Sequence, residues 1–71
     1  MKLQYHHDTD SLYIDLAERT SVDSREVSEG VVLDYDDNGN VVGIDIDNAS
    51  QKIALQRLIV SHLPGAVETV G

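Results

Sequence analysis

The chain reads as a single α+β domain spanning 1–71: a small antiparallel β-meander of four to five strands over 1–47, one helix over 48–62, and a tail over 63–71. Three observations predict this. Apolar and polar residues alternate with a period of two through the first two thirds of the chain, the signature of half-buried strands. Asn38-Gly39 stands between two such alternating runs, where a tight hairpin is expected. After Asp47 the apolar spacing changes to that of a helix, closed by Leu63-Pro64-Gly65.

The first strand places Leu3 and Tyr5 on one face and Lys2, Gln4 and His6 on the other. His7-Asp8-Thr9-Asp10 is polar and reads as a turn, after which Leu12, Ile14 and Leu16 alternate with Tyr13, Asp15 and Ala17. Val22 to Val27 is a short third strand whose two valines differ in parity, so both can face the core only across a bulge. Gly30 punctuates the chain. Val31, Leu33 and Tyr35 then face one way, and Val42, Ile44 and Ile46 match them beyond the turn. A two-residue Asn38-Gly39 loop pairs Tyr35 with Val42, Asp34 with Gly43 and Leu33 with Ile44. Asp47, Asn48 or Ser50 is positioned to cap the helix, on which Leu55, Leu58, Ile59 and Leu63 form a stripe broadened by Ile53 and Val60. An apolar arc that wide calls for more cover than one sheet provides.

At 71 residues a domain buries only roughly 60% of its unfolded surface, and with no cysteine the usual staple for a thin core is missing. Self-association as a homodimer, through the helix or a sheet edge, is the expected supplement. Thirteen acidic against five basic residues give a net charge of −8, which makes nucleic acid and anionic membrane poor partners. With 41% hydrophobic and 25% charged residues the composition is that of a folding chain. No apolar run is long enough for a signal peptide or a membrane span, and a cytoplasmic protein is expected.

Tyr5, Asp10 and Leu12-Tyr13-Ile14, then Glu26-Val27-Ser28 with Gly30, then Asp34-Tyr35-Asp36, Gly39 and Gly43-Ile44 together resemble the family called domain of unknown function 2283, small proteins of bacteria and archaea. The likeness covers about residues 5 to 50. It implies a compact meander with a helix, no assigned activity, and free-standing single-domain proteins, some of them encoded beside small toxin-like proteins that they would neutralise. The first turn departs from the family's more usual Tyr-Asp-Pro, reading His6-His7-Asp8, so histidine chemistry is not implied by the resemblance. The segment after about Leu58 lies outside it.

Three constellations carry possible chemistry. Asp34, Asp36, Asn38 and Asp45, with Gly39 between, match the spacing of oxygen ligands in a calcium loop, and calcium is the one cofactor they suggest. Against that reading, the last ligand is Asp in place of the longer Glu, and the flanks alternate as strands. Aspartate, asparagine and glycine are also the ordinary residues of a hairpin turn. Secondly, the outward sheet face gathers His6, Tyr13, Asp15, Asp34 and Asp45, with Glu26 beside them, either as a solvated polar face or as an acidic docking surface for a basic protein. Thirdly, His6-His7-Asp8 with Asp10 offers transition-metal donors, but adjacent residues on a strand point to opposite faces.

Catalysis has little support in the residues. Ser11, His7 and Asp10 are close in sequence, but spacing alone does not make a triad, Gly39 and Gly43 belong to a hairpin rather than a phosphate loop, and Lys52 with Arg57 is no nucleic-acid footprint. The expectation is a small acidic, non-enzymatic interaction module, homodimeric, with Tyr13, Asp15, Asp34 and Asp45 on its docking face. The alternatives are an antitoxin-like partner of a small basic protein and a divalent-cation-binding domain built on the Asp34 to Asp45 hairpin.

Overall fold

The alternating runs form five strands in a computed structural model that describes residues 1–70. They are β1 (Lys2–His6), β2 (Ser11–Asp15), β3 (Asp23–Ser28), β4 (Val31–Tyr35) and β5 (Val41–Ile46), followed by one helix, α1 (Ala49–Lys52). All pairings are antiparallel, in the spatial order β1-β2-β5-β4-β3. The chain therefore meanders through β3, β4 and β5, and β5 returns to lie against β2, joining that ribbon to the first hairpin.

Registers follow from side-chain parity. Leu3 faces Ile14, Tyr5 faces Leu12, Leu12 faces Ile46 and Ile14 faces Ile44, while Leu33 and Val31 continue the same apolar face on β4. Slipping any of these pairs by one residue would turn its apolar set to solvent. The third strand is irregular where its valines change parity: Glu26 faces Val32, Ser28 faces Val31, and Val27 is the inserted residue between them.

The β4–β5 turn differs from a two-residue loop. Leu33–Ile44 and Asp34–Gly43 pair as expected, but Tyr35 pairs with Val41 instead of Val42. The Gly39 N–H donates to the Asp36 carbonyl at 3.1 Å, the Asp36 N–H donates to Asn40 at 2.9 Å, and Gly39 has φ 80°. This is a type I turn closed by a left-handed glycine, with Asp at its first position and Gly at its fourth.

The helix expected over 48–62 is a single turn. Ile53 leaves it in extended geometry, φ −133° and ψ 160°. A helix that short persists only where it is packed, and α1 is anchored by Ala49, which is fully buried against Leu12 and Ile46. Beyond it the β-branched Ile53, Ile59 and Val60 weaken helix propensity, and of the downstream residues Leu55 packs on the core. Residues 63–70 are irregular and exposed, and position 71 of the expected tail lies outside the described residues. Capping also departs from expectation: Asn48 holds the N-cap position in a left-handed conformation and its side chain makes no capping bond.

Candidate functional site

The polar face of the sheet is organised around Tyr13. Its hydroxyl donates to Asp34 Oδ2 at 2.8 Å, and Ser24 donates to Asp34 Oδ1 at 2.6 Å, so one hydrogen-bonded row crosses the sheet from β2 to β3. The phenol passes over Gly43, the β5 residue paired with Asp34. A Cβ built at Gly43 would lie 2.7 Å from Tyr13 Cζ and 3.3 Å from Asp34 Oδ2, so the missing side chain is the space the ring occupies. Asp45 faces Tyr13 from β5, and Asp15 shares its strand. The hydrogen bond to Asp34 is the main cause, with burial and the charges of Asp34, Asp15 and Asp45 adding to it, that pushes the Tyr13 pKa up to about 12.

Sequence reasoning assembles Tyr13, Asp15, Asp34 and Asp45 correctly on one face by parity. It misses Ser24 and the role of Gly43. The signal for Gly43 is a glycine at an outward position inside a strand, the usual mark of a close approach; nothing local points to Ser24. Lys2 faces Asp15 across β1–β2, Gln4 stands opposite Tyr13, and His6 pairs with Ser11.

A second cluster joins the first turn to the helix. Asp10, with φ 51°, accepts from Tyr5 Oη at 2.7 Å, from the Ser50 hydroxyl at 2.7 Å and from the Ser50 N–H at 3.1 Å, and its own carbonyl takes the Ala49 N–H at 2.8 Å. The cap of α1 thus comes from a residue remote in sequence. The Ser50 hydroxyl and then Tyr5 hold the Asp10 carboxyl below its ordinary range, and the same bond raises Tyr5. Ser11 meets Thr9, their hydroxyls 2.7 Å apart, and His7 stands edge-on to Tyr5 at 6.3 Å between centroids. Among the described residues no hydrogen bond links Ser11, His7 and Asp10 to one another.

A third cluster fixes the β4–β5 turn. Asp36 is buried, at 4% exposure, with Oδ1 accepting from the Asn38 and Asn40 N–H groups at 2.9 Å each and Oδ2 from Arg19 Nε at 2.8 Å. The Asn40 N–H leads the set, with Asn38 and Arg19, that lowers its pKa. The calcium-loop spacing therefore resolves into two separate arrangements: Asp34 on the sheet face bound by Tyr13 and Ser24, and Asp36 in the turn bound by amides and a guanidinium. Among the described residues no three His, Cys, Asp or Glu side chains are grouped to hold a metal ion, so Asp34, Asp36 and Asp45 are not brought together, and the His6-His7-Asp8 and Asp10 set is not either.

No helix of the described residues is long and apolar enough to cross a membrane. The chain matches no curated protein and no solved structure. A family model does match, described as protein of unknown function (DUF2283), over residues 2–50. That span covers every strand, Asp10, the Tyr13–Asp34 row and Ser50, and it ends inside α1. The matched region is thus the sheet together with the bonds that tie it, and the chain belongs to the family of proteins of unknown function DUF2283.

Proposed function

We propose that this protein is a non-enzymatic interaction module whose acidic sheet face docks a basic protein. One observation carries the reading: Tyr13 sits in the combined field of Asp34, Asp15 and Asp45, on a face where β3 adds Glu26 and Lys2 is the one basic residue, at its margin. Concentrated negative potential on one face favours fast association with a basic partner. A binding role also suits the state of the polar groups. Tyr13 keeps its proton at neutral pH, and the oxygens of Asp10 and Asp36 are occupied by donors.

The test uses the untagged protein in its host, with a variant carrying Asp15→Asn and Asp45→Asn as comparison. These two carboxylates make no side-chain hydrogen bond that the fold needs. A basic protein retained by the wild type, lost from the double variant and released by salt supports the reading. The same proteins retained by both, or none by either, overturns it. A partner that is small and toxic on its own would extend the reading to an antitoxin-like role.

A further inference from the structure

We infer that two copies of this chain pair through β1, extending the sheet across a two-fold axis at Gln4 and closing the apolar groove beside it. The groove lies on the face of the sheet opposite Tyr13, Asp15, Asp34 and Asp45, so the inference does not rest on the proposed function.

The first argument is area. A compact monomer of 7.8 kDa exposes about 4,400 Å², whereas this chain exposes 5757 Å². The surplus of about 1,350 Å² exceeds the roughly 800 Å² that each partner contributes to an interface of standard size. Large apolar side chains contribute to it: Leu58 is 67% exposed, and Leu3, Tyr5 and Ile53 are exposed as well. Scattered surface leucines are ordinary, but Leu3, Tyr5, Ile53 and Leu58 line one groove beside β1. Leu3, Tyr5, Leu12 and Ile14 form the floor of a groove of about 350 Å³, with Ile53 and Leu58 along its other wall.

The second argument is the contrast between the two edges. On β3 the free edge is broken by the Val27 bulge and bears Asp23, Arg25 and Glu26, the usual protections against edge pairing. On β1 the register with β2 is unbroken from Lys2 to His6, without proline or bulge, and every residue is exposed. A straight edge beside an apolar groove, with Lys2 at its start as the one charged residue, is a template for another strand.

Symmetry then selects a second copy. In an antiparallel pair centred on Gln4, Leu3 of one protomer stands opposite Tyr5 of the other, and the exchange repeats on the far side of the axis. The apolar face of β1 is complementary to itself, as a two-fold interface requires. Charge permits the contact despite a net −8, because the groove is lined by no carboxylate and by a single cation, Arg57.

The experiment is light scattering and native mass spectrometry of the full chain across a concentration series. A species of twice the 7.8 kDa chain mass is expected. Leu3→Arg should give a folded monomer, shown by an unchanged β-sheet circular dichroism spectrum. Leu58→Glu lies outside the sheet and tests the groove wall without touching a strand; it should weaken dimerisation by about tenfold or more. Val27→Lys on the β3 edge should leave the dimer intact. A wild type that stays monomeric at high micromolar concentration overturns the inference, as does a dimer abolished by Val27→Lys or unaffected by both Leu3→Arg and Leu58→Glu.

Discussion

Asp10 and Ser50, forty positions apart, are joined by two hydrogen bonds, one from the serine hydroxyl and one from its backbone N–H. A turn residue thereby caps a helix whose own N-cap side chain contributes nothing. Tyr5 binds the same carboxylate, so the first hairpin, the first turn and α1 share one acceptor. Replacing Asp10 by alanine leaves three donors without it and should lower the Tm by about 5 °C or more, with Asp10→Asn intermediate. Thermal unfolding followed by circular dichroism measures this; an unchanged Tm would show that the anchor is dispensable.

Gly43→Ala tests the crossing of Tyr13 over β5. The new methyl meets the ring, with Cζ at 2.7 Å, so the phenol must leave Asp34, at a cost of about 1–3 kcal/mol. Tyr13→Phe removes only the hydroxyl bond and should cost about 1 kcal/mol. Tyr13→Ala should make the Gly43→Ala change nearly neutral, a coupling that a double-mutant cycle in urea detects. Additive effects would mean that the ring and the glycine do not constrain one another.

Alkaline stability follows from the phenols. Tyr13 is raised from 10.0 to about 12 in the folded state, so the folded chain keeps a proton that the unfolded chain releases. This contribution is complete below pH 10 and is lost as pH rises from there to about 12. Tyr5 shifts in the same direction. Tyr13→Phe should therefore flatten, but not abolish, the alkaline loss of stability, which denaturation midpoints across that range would record.

Acid stability has the opposite sign. Asp10 and Asp36 are both held below 3.8, so their contribution is present above that value and is lost as pH falls beneath it. Asp36→Asn should reduce the steepness of acid unfolding measured by circular dichroism. An unchanged acid limb would place the titrating group elsewhere.

Calcium should leave the Tm unchanged at millimolar concentration, because the Asp36 oxygens already accept from two amides and from Arg19. Asp36→Ala should lower the Tm equally with and without the ion. A rise on adding calcium that Asp36→Ala abolishes would instead favour a cation site in this hairpin.

Much of the polar face is legible without coordinates. Parity alone puts Tyr13, Asp15, Asp34 and Asp45 together, because successive strand residues must alternate. Turn chemistry likewise locates the β4–β5 hairpin, although not the shift that sets Tyr35 against Val41. Ser24 and Arg19 are silent locally: each is a polar residue whose partner is decided by which strand or loop arrives beside it.

Periodicity and turn residues, then, determined the strands, their faces, the hairpins and the thin core that calls for further burial, since these depend on neighbours in the chain. The tertiary structure decided that β5 lies against β2, that Asp10 rather than Asn48 caps the helix, that the helix stops after one turn, and that β1 and β3 are the sheet edges. Those outcomes depend on contacts between segments distant in sequence, where the balance of burial against chain entropy is settled by the whole sheet and not by any one window of residues.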